Sequence, residues 1–159
     1  MSRANRTAAM SVATVAIFGA YAALAEPSTV ASATSSYRAE CGSCHLAYPA
    51  RLLSTREWGI VLGHLEHHYG VDATVDDPTL RLVAQQLDAP VTSSLGDTGR
   101  LPRITSKEWF VDEHDEVAAG VFRSAAVKSA GNCAACHAGA ERGDFDEDAV
   151  RVPGGKRHD

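Results

Sequence analysis

Two pentapeptides hold the most specific chemistry in this chain: Cys41-Gly42-Ser43-Cys44-His45 and Cys133-Ala134-Ala135-Cys136-His137. Each sets two thiols three positions apart, with an imidazole directly after the second. Together they use all four cysteines. Two thiols at that spacing reach one edge of a porphyrin, where each adds to a vinyl group. The adjacent histidine then falls beneath the iron as proximal ligand. This is the attachment signature of a c-type haem, and its repetition predicts two covalent haems. Other thiol chemistries fit less well. Structural zinc sites bring their half-sites closer together than Cys44 and Cys133 stand. A thiol-redox motif needs a βαβ context, which the sequence does not suggest. Disulfides suit an exported chain but do not explain a histidine after both pairs.

An iron held by one histidine takes Met, His or nothing on its other face. The only methionines are Met1 and Met10. Both stand in a stretch that reads as a secretory leader. Arg3 and Arg6 make a basic start, an uncharged apolar run follows, and Ala23-Leu24-Ala25 gives a small-x-small site before Glu26. The run is short and Ala-rich for a spanning helix. The expectation is a signal peptide over residues 1–25, a periplasmic protein, and no membrane span after cleavage. Met ligation is then excluded in the mature chain.

His64, His67, His68, His114 and His158 remain as distal candidates. His114 shares a helical face with Phe110 and Val117. His68 shares one with Val61 and Leu65, while His67 points about 100° away. His64 stands one turn before His68. His68 and His114 are the preferred ligands, with His67 and His64 as alternatives to His68. His158 lies in the tail and reads as solvated. The metal set is thus His45, His68, His114 and His137, and which distal histidine serves which haem stays open. Two histidines per iron forgo the thioether that raises the potential. They also saturate the metal, which favours carrying electrons over binding substrate.

The elements that must position these groups read as short helices. Ser54-Thr55-Arg56-Glu57 is a capping box, and Trp58, Val61, Leu62, Leu65, His68 and Tyr69 then fall on one helical face up to Gly70. Asp77-Pro78 opens a second helix with a stripe of Leu80, Val83, Ala84 and Leu87. Thr105-Ser106-Lys107-Glu108 reads as another capping box, followed by Trp109, Phe110 and His114. The second haem motif is expected to open a last helix. Ser/Thr/Ala-rich residues 26–36 read as a flexible leader. The dihaem domain is placed at residues 37–152, with a first half over 37–88, a linker over 89–104 rich in Gly and Pro, a second half over 105–152, and a tail over 153–159. The halves run in opposite order: His45 to His68 and His114 to His137 each span 23 positions. The expected fold class is mainly α, with short helices and loops packed around two covalent haems.

The formal charge is −5, and cleavage after Ala25 removes Arg3 and Arg6 but no acidic residue. So acidic a chain is a poor nucleic-acid binder and is suited to steering towards a basic partner. Trp58 and Trp109 read as haem-wall packing, and Arg51, Arg100 and Arg103 as possible propionate partners. Gly59 and Gly63 read as places where a ring approaches the helix.

The chain resembles the small dihaem cytochrome c family. The likeness rests on residues 40–49 (Glu-Cys-Gly-Ser-Cys-His-Leu-Ala-Tyr-Pro), on Trp58 through His68-Tyr69-Gly70, on Arg103-Ile104-Thr105, on Trp109-Phe110 with His114, on Asn132 through His137, and on Gly143-Asp144-Phe145. The order of the haem motifs with His68-Tyr69-Gly70 and Trp109-Phe110 is the specific part. The resemblance implies a periplasmic, mainly helical protein with two bis-His haems, His68 and His114 being the distal ligands. It also implies redox exchange with another cytochrome, either a monohaem c-type oxygen-binding protein or a membrane cytochrome b. The alternative functions are a dihaem peroxidase or nitrogen-oxide reductase, or a haem-based sensor of small ligands. Each of these needs an iron that opens.

Overall fold

The computed structural model describes residues 29–96 and 99–154. The expected signal peptide, the start of the leader, His158 and the end of the tail lie outside the described residues. Five helices, interspersed with single 3-10 turns, make up the regular structure described: α1 (Thr29–Cys41), α2 (Thr55–Leu62), α3 (Asp77–Gln86), α4 (Glu108–Asp112) and α5 (Ala119–Phe122). No described residue pairs in a strand beyond two isolated bridges, His68 with Val71 and His137 with Val150. The mainly α expectation holds, and no described helix is long and apolar enough to cross a membrane.

The leader reading over residues 26–36 is corrected by α1, which begins at Thr29 and runs into the first haem motif. Its sequence shows no apolar stripe, so no periodicity marks it. Packing holds it instead. Thr34 Oγ1 donates to Gln86 Oε1 of α3 at 2.6 Å, and Tyr37 is buried in the core shared with Val83 and Leu87.

The capping box of α2 forms as its residue types demand. Ser54 accepts from the Glu57 backbone N–H, and the Glu57 carboxylate accepts from the Ser54 backbone N–H. Trp58, Val61 and Leu62 then enter the core, and the Trp58 indole N–H donates to the Ala50 carbonyl at 2.6 Å. The expected continuation to Gly70 does not occur. α2 stops at Gly63, because the chain of the linker lies against it there. A Cβ on Gly63 would stand 1.9 Å from the Thr92 carbonyl oxygen, and one on Gly59 would stand 2.1 Å from that of Pro90. These glycines therefore admit residues 90–92, not a porphyrin, and Thr92 N–H closes the seam on the Gly59 carbonyl.

Asp76 caps α3 by accepting from Thr79 N–H at 2.8 Å, with Pro78 in the first turn. The second capping box does not form. Residues Ile104–Ser106 make a 3-10 turn, and Lys107 precedes α4 without a side-chain cap. Lys107 instead reaches back to Glu57 at 2.5 Å, tying the second half to α2. The second haem motif also departs from expectation. Cys133–Ala135 is a single 3-10 turn, not the start of a helix.

Candidate haem sites

The structure sorts the histidines into two pairs. His45 and His68 face each other with ring centres 6.0 Å apart and planes 19° apart. His114 and His137 stand 6.2 Å apart with planes at 72°. An imidazole nitrogen sits about 2 Å from a metal it binds. Its ring centre lies about 1 Å further back, so two rings on opposite faces of one metal have centres about 6 Å apart. Both pairs meet that spacing. Each half therefore brings together its own two histidines, which the equal 23-position spans leave open in the sequence.

Local structure explains why His68, rather than its neighbours, meets His45. Beyond Gly63 a 3-10 turn over Leu65–His67 redirects the chain. Tyr69 and Gly70 then both take positive φ, 50° and 104°, and Val71 N–H donates to the His68 carbonyl. Two left-handed residues inside such a turn are the mark of a tight reversal that glycine makes accessible. His68 stands at its start, half-buried, while His67 is exposed. His64 turns its Nδ1 to the Ile60 carbonyl at 2.8 Å. In the second half, His114 stacks on Phe110 with centres 4.1 Å apart. Phe122 stands at 6.1 Å from it, and Phe145 lies 5.2 Å from His137.

The electrostatics suit neutral imidazole, the form that ligates metal. Burial, and then the neighbouring His45, lower the pKa of His68. Burial, and then His114, lower that of His137 against the opposing pull of Asp144. Nδ1 of His45 and Nδ1 of His114 lie against the carbonyls of Leu46 (2.7 Å) and Phe110 (2.8 Å). Donation there leaves the lone pair on Nε2. Nδ1 of His68 and Nδ1 of His137 are buried with no polypeptide partner. Orphaned polar atoms of this kind cost about 1–3 kcal/mol, and they fit a neighbour that is not protein.

The thiols argue against the competing chemistries. Burial, helped by Glu40, pushes Cys41 up to about 11. Cys133 and Cys136 are also raised, burial being the largest cause. A redox Cys-x-x-Cys needs the opposite shift. None of the four cysteines is joined to another. Among the described residues, no three His, Cys, Asp or Glu side chains converge as a zinc site would require. The residues do fit two covalent haems.

The remaining readings divide. Trp58 is a core residue at 6 % exposure, whereas Trp109 is 39 % exposed. Arg103 lies over the Tyr69 ring at 4.6 Å and Arg51 over Phe145 at 5.3 Å, each beside an aromatic that flanks a histidine pair. Tyr48 has no role of its own in the sequence pattern. It stacks on His45 with centres 5.0 Å apart, and its place three positions after His45 is the signal the sequence holds.

A family model of dihaem cytochrome c matches residues 37–145. The solved structure of a dihaem c-type cytochrome from Shewanella baltica OS155 is 34 % identical, with a TM-score of 0.67, covering 80 % of this chain and 98 % of that one. A structure of DHC purified from Rhodobacter sphaeroides is 41 % identical, with a TM-score of 0.58, covering 70 % and 96 %. A second from that organism, described as a dihaem cytochrome c, is 38 % identical with a TM-score of 0.55, covering 70 % and 95 %. No curated protein matches the chain.

Proposed function

The chain belongs to the dihaem cytochrome c family and is an electron-transfer cytochrome with two c-type haems; on that footing we propose that it is a periplasmic carrier in which His45 and His68 ligate one iron and His137 and His114 the other. The observation that carries this reading is the spacing of the two histidine pairs, 6.0 and 6.2 Å between ring centres. Bound in this way, each haem supplies one reversible electron at its iron.

The polypeptide has three tasks. Cys41 with Cys44, and Cys133 with Cys136, tether the porphyrins by thioether bonds. The Nδ1 contacts of His45 and His114 fix ring orientation, and burial keeps His68 and His137 neutral. Finally, the two imidazoles of each pair would close both faces of an iron held between them. A peroxidase or reductase needs one open face, which an iron held by either pair would lack. With no thioether ligand, both potentials fall low in the c-type range.

Asp112, Glu113, Asp115 and Glu116 flank His114 and are all exposed, and Trp109 and Val111 beside them are 39 % and 56 % exposed. An acidic collar around a partly apolar patch suits transient docking of a basic redox protein. The partner proposed is another cytochrome, monohaem c-type or membrane-bound b-type. The ligand assignment is tested by replacing histidines one at a time in the haem-loaded protein. His68→Ala and His114→Ala should each open one iron to carbon monoxide, while His64→Ala and His67→Ala should open none. A His67 or His64 variant that binds carbon monoxide would contradict it. For the docking, the rate of exchange with a basic cytochrome should fall as salt rises. A rate indifferent to ionic strength would remove the steering.

A further inference from the structure

Tyr48 touches both sites at once. Its ring lies nearly parallel to His45, with centres 5.0 Å apart and planes at 24°. Its hydroxyl donates across 83 positions to the Gly131 carbonyl at 2.8 Å. That same carbonyl stands 3.6 Å from the Cys133 sulfur, the first tether of the second site. The backbone of Tyr48 is held in turn, since the Tyr37 hydroxyl donates to its carbonyl at 2.6 Å. A cleft of about 640 Å³ runs along this seam, with Cys44, His45 and Tyr48 on one wall and Gly131, Asn132 and Ala134 on the other. The two haem motifs, remote in sequence, therefore meet here.

We propose that Tyr48 is the positioning residue that couples the two haem sites. Its ring sets the proximal ligand of the first, and its hydroxyl sets the loop that tethers the second. Electron exchange between two buried centres falls steeply with their separation and with the number of through-space jumps between them. The path from the His45 ring to the Tyr48 ring, and by one hydrogen bond to the backbone leading into Cys133, has few such jumps. Exchange along it is a one-electron step. One iron passes from ferrous to ferric as the other passes from ferric to ferrous, with no further reactant. The proposal rests on the reading that both sites carry haem.

The test uses the haem-loaded protein and three variants. Tyr48→Phe keeps the ring and removes the bond to Gly131. Tyr48→Leu removes both contacts. Tyr37→Phe removes the support behind Tyr48 and leaves its hydroxyl in place. Absorption spectra first establish two low-spin haems in the wild-type protein, and failure there would overturn the haem reading itself. Magnetic coupling between the two ferric irons is then measured by electron paramagnetic resonance. Exchange in half-reduced samples is measured by nuclear magnetic resonance line broadening. Tyr48→Phe should leave both haem spectra unchanged, weaken the magnetic coupling and slow exchange several-fold. Tyr48→Leu should slow it further and shift the potential of the first site alone. Tyr37→Phe should lower stability with exchange nearly intact. Wild-type coupling and exchange in Tyr48→Phe, which is close enough in shape to fold, would overturn the proposal.

Discussion

The half that carries His45 and His68, with the start of the linker, builds its own apolar core from Tyr37, Leu53, Trp58, Val61, Leu62, Val83, Leu87 and Ala89. Around His114 and His137 the buried apolar residues are few. Phe110, Val127 and Ala140 are the ones that reach that class, joined by turns of three to five residues. Both pairs nevertheless hold their rings at nearly the same separation. Apolar burial is the main favourable term in folding, so the first half can stand on side chains. The second would draw more of its order from the porphyrin held by Cys133 and Cys136. The ring planes differ too, 19° against 72°, because His68 is set by a tight turn and His114 by stacking on Phe110.

Untethering one haem at a time should separate the two halves most sharply. The double variant Cys133→Ala, Cys136→Ala should leave residues 105–152 exchanging amide hydrogens like an open chain. The double variant Cys41→Ala, Cys44→Ala should keep α2 and α3 protected. Equal loss of protection in both would mean that the halves do not differ in what supports them. A spectroscopic version looks at the ring planes. Near-parallel and near-perpendicular axial imidazoles split the iron d orbitals differently. The oxidised protein should therefore give two distinct low-spin paramagnetic resonance signals, the more anisotropic from the second site. His114→Ala should remove that signal alone, and a single signal for both irons would contradict the angles. The smallest effects compare two look-alike sequences. Ser54→Ala removes a formed cap and should cost about 1 kcal/mol in thermal or denaturant melts. Thr105→Ala touches a box that never closes and should stay within about 0.5 kcal/mol of wild type.

Those two boxes also show what the sequence could and could not reveal. Both have the residue types of a cap, but only the first precedes a run with a core to bury into. In the second, Lys107 is drawn to Glu57, and the chain enters α4 two residues later than a cap at Thr105 would place it. The two haems and the Asp77-Pro78 helix start were legible, because the Cys-x-x-Cys-His spacing and the Asp-Pro pair are both local. The end of α2 was not. It is set by residues 90–92 crossing Gly59 and Gly63, a contact between segments some thirty positions apart. α1 was missed for the same reason, since its polar sequence is held against α3 rather than by its own propensity. Tyr48 and Gly131 lie 83 positions apart, and no periodicity could join them.

Closure of both irons by two imidazoles each is read from absorption spectra of the haem-loaded protein, oxidised, reduced, and reduced under carbon monoxide at neutral pH. Two low-spin c-type haems per chain are expected, with no methionine-ligand band and a reduced spectrum that carbon monoxide does not shift. A shift in half of the haem would contradict it and show that one histidine pair does not close on its iron.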